Sequence, residues 1–242
     1  MGRQFVDGYR GRIGLVATAP GNATEADFNR YRPEGVAVMT TRIPLTSSTP
    51  EGIGEMNQQL EDAVRMLAGN AYCDVVLCSS TAGSFLDGRQ ADEARAARLS
   101  RETGCQVITS AQCMLSAMEA LDVKRVALVT PSARELNEVE CAFLAEAGVD
   151  VVSQGEFDLK SPRDILCTAP EEVEAMVRQA DRRQAQGILI SCSGLHVMEL
   201  IPRLEAELGK PVLASNQFGL WGCLRALRLR TDMPGLGALF QH

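Results

Sequence analysis

The chain has 242 residues, 45% apolar and 23% charged, a balance that excludes a disordered or low-complexity polymer. Its formal net charge of −7 excludes a general nucleic-acid or anionic-membrane surface, and the short basic cluster Arg225–Arg228–Arg230 does not reverse that. No run reaches the ~18 apolar residues that span a bilayer. The polar start, Met1 to Gly8, lacks the apolar region of a secretory signal, so a cytoplasmic protein is expected.

Short Val-, Ile- and Leu-rich runs predict strands over Arg12–Thr18, Val36–Ile43, Val75–Ser79, Gln106–Thr109, Arg125–Thr130, Asp150–Gly155, Gly187–Ser191 and Pro211–Ala214. Continuous apolar runs of this kind suit strands buried on both faces of a parallel sheet. Between them the apolar spacing becomes helical. One pattern covers Glu51–Leu67, another Asn137–Ala147 with Val139, Phe143 and Leu144, and a third opens at Pro170-Glu-Glu and runs to Arg182. Gly69, Gly104, Gly148 and Gly209 fall where helices need a left-handed cap. Strand and helix alternate throughout, which predicts an α/β fold.

The second half echoes the first. Ile13-Gly-Leu-Val returns as Val126-Ala-Leu-Val, and Val76-Leu-Cys-Ser-Ser returns as Ile188-Leu-Ile-Ser-Cys, at offsets of about 112–113 residues. The expectation is two pseudo-symmetric Rossmann-like α/β domains with mainly parallel four-stranded sheets. Residues 1–119 would form the first, joined by a C-terminal segment, 215–242, that crosses back as a helix. Residues 120–214 would form the second.

Eight cysteines lie at 73, 78, 105, 113, 141, 167, 192 and 223. The chain is too long for a disulfide-stapled scaffold, and most of the eight sit inside apolar runs, as reduced, packed thiols do. There is no CxxC pair and there are only two histidines, so no metal site is expected. Cys192 differs. It sits at a strand's carboxyl end before Ser193-Gly194, where a following helix N-terminus would lower its pKa; a buried structural role is the alternative. Cys73, Cys105, Cys113, Cys141, Cys167 and Cys223 are expected to be packing residues.

Ligands of open parallel sheets bind at the strands' carboxyl ends. The loops there are Thr18-Ala-Pro-Gly-Asn-Ala-Thr24, Ser79-Ser-Thr-Ala-Gly-Ser84, Thr130-Pro-Ser132 and Ser191-Cys-Ser-Gly194, followed by Ser215-Asn216. They are rich in hydroxyls and free N–H groups and poor in charge, a combination that suits a small carboxylate. The candidates for binding it are Gly21, Asn22, Thr81, Ala82, Ser132, Asn137, Ser193 and Gly194. His196 could pair with Cys192 as a base, and Glu25, Asp27 and Arg42 could reach a substrate; a satisfied or solvated role fits each of these four as well. Ser132 and Asn137 could equally be helix caps. GxGxxG is absent after the first strand and there is no Walker A sequence, so no nucleotide cofactor is expected. The loops Leu45–Glu55 and Glu156–Thr168 would wall the pocket.

The chain resembles the aspartate/glutamate racemase superfamily, in particular its maleate cis–trans isomerase and arylmalonate decarboxylase branch. The resemblance rests on Ile13-Gly-Leu-Val, Thr40-Thr-Arg-Ile-Pro, Val76-Leu-Cys-Ser-Ser-Thr, Arg125-Val-Ala-Leu-Val-Thr-Pro, Asn137-Glu, Ala142-Phe-Leu, Ile188-Leu-Ile-Ser-Cys-Ser-Gly-Leu, Gly209-Lys-Pro-Val and Pro234-Gly-Leu-Gly-Ala-Leu, in that order. It implies an active site between the two domains. It implies a cofactor-independent enzyme acting beside a carboxylate, with a homo-oligomer as the family expectation and no nucleic-acid or membrane partner. Racemases and isomerases of that superfamily use a cysteine from each half; arylmalonate-type decarboxylases keep only the second, as proton donor. Cys192 matches the second cysteine, and the first falls on Ser80, although a two-residue shift would bring Cys78 there. Thr81 matches the hydroxyl that follows, Ser132 stands where a tyrosine is usual, and the usual asparagine falls on Gly21, beside Asn22. A serine is a poor second base and a poor nucleophile. The resemblance therefore implies first a decarboxylase of a substituted malonate-like diacid, with Cys192 and Ser80 in the catalytic pair of positions. The alternatives are a maleate-type isomerase or racemase, and a non-catalytic carboxylate binder.

Overall fold

The apolar runs become eight parallel strands in two sheets. In the computed structural model, which describes residues 5–242 and leaves the polar Met1–Gln4 outside, the first half runs β1 (Gly11–Thr18), α1 (Ala23–Tyr31), β2 (Val36–Ile43), α2 (Pro50–Asn57), α3 (Leu60–Gly69), β3 (Val75–Cys78), α4 (Thr81–Phe85), α5 (Arg89–Thr103), β4 (Gln106–Thr109) and α6 (Ser110–Ala120). The second half runs β5 (Arg125–Ser132), α7 (Arg134–Glu146), β6 (Asp150–Leu159), α8 (Pro162–Leu166), α9 (Pro170–Ala180), β7 (Gly187–Ile190), a 3-10 turn at Met198–Leu200, α10 (Ile201–Leu208), β8 (Val212–Ala214), α11 (Ser215–Ala226) and a 3-10 turn at Ala238–Gln241.

The sheets have orders β2-β1-β3-β4 and β6-β5-β7-β8. All pairings are parallel. The two registers repeat one another: Val16 pairs with Cys78, and Ser79 N then donates to Val16 O; Val129 pairs with Ile190, and Ser191 N then donates to Val129 O. The expected α/β fold with two pseudo-symmetric four-stranded sheets is the observed one. Central strands β3 and β7 are buried along their whole length, as crossover helices on both faces require.

Three sequence expectations change. The pattern over Glu51–Leu67 is two helices, because the chain breaks at Gln58–Gln59. Gly104, Gly148 and Gly209 have the expected positive φ, but Gly69 ends α3 inside the helix and the left-handed residue beyond it is Tyr72. The helix after β5 starts at Arg134, which turns Leu136, Asn137, Glu140, Phe143 and Leu144 inward. The halves meet through side chains at the strands' carboxyl ends. Phe85 of α4 packs on Phe143 of α7, with ring centroids 6.3 Å apart. α11 leaves β8 and lies against α6, β3 and β4 of the first half, and against α1. Among the described residues no helix is long and apolar enough to cross a membrane.

Candidate active site

The carboxyl ends of β1, β3, β5 and β7 converge on a partly open cavity of about 60 Å³. Its polar lining comes from the strand-end loops: Thr18, Gly21, Ser80, Thr81, Ser132, Ser191, Cys192, Ser193 and Gly194. Its apolar wall comes from Leu45 and Ile53, from Phe85 and Leu136, and from Pro162, Ile165 and Leu166. The loops after β2 and β6 therefore do wall it, and they touch where Ser48 N donates to Lys160 O at 2.8 Å.

Ser80 and Cys192 face the cavity from equivalent positions of the two halves, one residue beyond Ser79 and Ser191. Cys78 does not share that place. It is buried at the end of β3, beside Met56, Asn57 and Arg95, and desolvation pushes its thiol up to about 12. Ser80 also caps α4. Its Oγ accepts from Gly83 N at 3.1 Å, and its carbonyl accepts from Ser84 Oγ at 2.9 Å. Thr81 is buried with its hydroxyl 2.9 Å from Ser215 Oγ, so α11 of the far end of the chain braces the Ser80 loop.

Cys192 overturns the helix-terminus expectation. No helix starts after it; the chain turns through Ser193 and Gly194 and reaches a 3-10 turn only at Met198. The thiol is not lowered. Desolvation by burial dominates and pushes it up to about 11, assisted by the Glu140 carboxyl and opposed by N–H groups of Gly194 and Leu195. The Gly194 N–H donates to Sγ at 3.3 Å. At neutral pH Cys192 is thus a protonated thiol. His196 is not its partner: it is exposed, lies outside the cavity and acts on Asp27 instead.

The other candidates divide. Gly21, Thr81, Ala82, Ser132, Ser193 and Gly194 line the cavity. Asn22 does not: it is exposed at the start of α1. Asn137 does not line it either, because it is buried behind Ser132, donating to Ser132 O at 3.3 Å and to Glu156 at 3.1 Å while its Oδ1 accepts from Thr130 Oγ1 at 3.1 Å. It is a brace rather than a cap or a ligand. Arg42 pairs with Glu25 and donates to Gly21 O, clasping the loop after β1 from outside. Asp27 is buried against Asn216, whose Nδ2 donates to it at 2.8 Å, and burial pushes its carboxyl up to about 6. All eight cysteines are free. Cys73, Cys105, Cys113 and Cys223 are buried and Cys141 is half-buried against the core, as the expected packing role requires; of the six, Cys167 is exposed and departs from it.

Glu140 escaped the sequence reading. It lines the cavity at 2% exposure, and its Oε1 accepts from Ser191 Oγ. Burial pushes this carboxyl up to about 8, the Ser191 bond only partly opposing it. The signal was present: Glu140 stands four residues after Leu136 and three before Phe143, on the stripe that a helix buries.

The chain is 29% identical to maleate isomerase of Nocardia farcinica, with 96% of each chain covered. It is 29% identical to arylmalonate decarboxylase of Bordetella bronchiseptica, covering 95% of this chain and 96% of that one. It superposes with a TM-score of 0.89, at 28% identity and covering 95% of this chain and 98% of the other, on a Cys-to-Ser variant of Nocardia farcinica maleate cis–trans isomerase that carries a covalently bound succinylcysteine intermediate. The family model described as arylmalonate decarboxylase matches residues 13–240. A match of that extent, on this fold, means that the chain belongs to the arylmalonate decarboxylase family.

Proposed function

We propose that the protein is a cofactor-independent decarboxylase of a substituted malonate-like diacid, with Cys192 as proton donor. The observation that carries this reading is the unequal pair that the two halves bring to the cavity, the half-buried Cys192 thiol from one and the Ser80 hydroxyl from the other; desolvation pushes the thiol up to about 11. Such a site holds one proton ready to give. It lacks a thiolate ready to attack and a second base ready to take a proton away.

One carboxylate of the diacid rests among the hydroxyls and N–H groups of the strand-end loops. The other faces the apolar wall. Its bond to the α-carbon breaks heterolytically, CO₂ leaves, and the electron pair stays as an enediolate, which the hydroxyl donors stabilise. Cys192 Sγ–H then passes its proton to the α-carbon, giving a monocarboxylate, and the thiolate recovers a proton from solvent.

Kinetics on phenylmalonate, maleate and amino acids test this. Wild type releases CO₂ from phenylmalonate, and Cys192→Ala loses on the order of 10²–10⁴-fold in kcat. Ser80→Cys, which restores a thiol in each half, gains racemisation of 2-phenylpropionate. Full turnover by Cys192→Ala overturns the reading. The second reading, maleate isomerisation, is favoured by the 29% identical maleate isomerase; it requires turnover of maleate by wild type. Binding of diacids with no turnover of any would leave the carboxylate-binding role alone.

A further inference from the structure

Glu140 sets a problem that the proposed reaction leaves unsolved. The cavity is meant for an anion, yet its lining contains no Arg, Lys or His; its ionisable members are Cys192 and Glu140. An ionised Glu140 would put a negative charge against the incoming carboxylate in a desolvated space, where repulsion is weakly screened. The surroundings do not favour that charge. Cys192 and Cys141 both sense its charge; the other groups that act on Cys141 are Glu138 on α7 and Glu156 on β6, which Arg134 holds at 2.6 Å. α4, packed against α7, brings no charged residue. Ser191 Oγ donates to Oε1, which leaves Oε2 as the oxygen to carry an acid proton.

We infer that Glu140 serves the site as a neutral carboxylic acid that donates a hydrogen bond to a substrate carboxylate, so that a pocket without cations binds an anion only while Glu140 is protonated. A carboxylic acid is both a strong donor and a neutral one, so it can hold a carboxylate without a formal counter-ion. The burial that pushes Glu140 up to about 8 keeps it protonated at neutral pH. Binding is therefore full below that value and is lost as pH rises through it. This inference rests on the reading of the cavity as a carboxylate site.

The test is calorimetric binding of phenylacetate, a monocarboxylate with nothing left to lose, to the full chain from pH 6.5 to 9. For wild type the Kd is flat to about pH 7 and then weakens about tenfold by pH 9. Glu140→Gln keeps a neutral N–H donor; it binds within about threefold of wild type at pH 7, and its Kd no longer changes with pH. Glu140→Leu loses the donor and weakens binding about tenfold at pH 7. A wild-type Kd that is flat across the range overturns the inference. So does the wild-type pH slope persisting in Glu140→Gln, or undiminished binding by Glu140→Leu. These outcomes are separate from failure of the proton-donor reading, which Cys192→Ala kinetics report. Absence of phenylacetate binding at every pH overturns the carboxylate-site reading and this inference together.

Discussion

Thr24 shows how much of the site is held from behind by single side chains. It is buried in the first turn of α1, and its hydroxyl lies 3.0 Å from Ser193 O and 2.9 Å from Asn216 Oδ1. One proton is thus shared between the turn after Cys192 and the first turn of α11. Asn216 extends the chain to Asp27. Replacing Thr24 by the nearly isosteric valine removes the donor without opening a cavity. Thr24→Val is expected to cost on the order of 1–2 kcal/mol, because two buried acceptors lose their shared partner. Urea unfolding monitored at Trp221 measures it; a midpoint unchanged from wild type would mean that this bridge contributes nothing. Asn137 does a similar job on the other side by holding Ser132 O, which explains why an asparagine outside the cavity still shapes its lining.

At the scale of elements, the helix starts are where local sequence and site geometry meet. α6 begins with a capping box: Thr109 Oγ1 accepts from Gln112 N at 3.2 Å, and Gln112 Oε1 accepts from Thr109 N at 3.1 Å. α11 starts on a related pattern, with Gln217 Oε1 accepting from Ala214 N at 3.2 Å. Both helices follow the last strand of their sheet, and they pack on each other. The Thr109 hydroxyl also donates to Asp92 at 2.5 Å, a carboxylate buried in α5 that pairs with Arg95 at 3.2 Å. Thr109→Ala therefore removes a cap and a partner of a buried carboxylate together. The expected loss is on the order of 2 kcal/mol, with Thr109→Ser restoring most of it. Thermal unfolding of the two variants side by side checks this; equal loss in both would assign the effect to the missing methyl group instead.

At the scale of the whole molecule, buried acids give stability a definite pH trend. Asp27 and Asp92 are each pushed up to about 6, and Glu140 to about 8, in every case chiefly by desolvation. These groups ionise in the unfolded chain at lower pH than in the folded one. Between the two values the folded chain holds the extra protons, so stability falls as pH rises, from about 4 until the folded groups have ionised. Replacing Glu140 by glutamine removes its share of that trend. Wild type and Glu140→Gln are expected to be equally stable near pH 4, with the variant the more stable at pH 8.5 to 9. Urea midpoints at the two ends of that range decide it, and a constant difference between the proteins would overturn the assignment.

Much of the architecture could be read without coordinates. Eight apolar runs marked eight strands, and the echo at Val76-Leu-Cys-Ser-Ser and Ile188-Leu-Ile-Ser-Cys marked the facing positions of Ser80 and Cys192. These are consequences of local periodicity and strand order, which a linear sequence carries directly. The break at Gln58–Gln59 was not legible, because a helical stripe on either side of it keeps nearly the same phase. The state of Cys192 was not legible either. Its thiol is raised by the walls that Ile165, Leu166 and Glu140 build around it, and those come from α8 and α7, distant in sequence. Glu140 itself reads locally as one more helix glutamate. Only the packing of α7 against β5 and β6 turns it into a buried acid at the cavity between the halves. Sequence by itself determined which atoms are present and which strand ends carry them. The tertiary structure decided their protonation, because desolvation depends on what surrounds a group in space rather than on what precedes it in the chain.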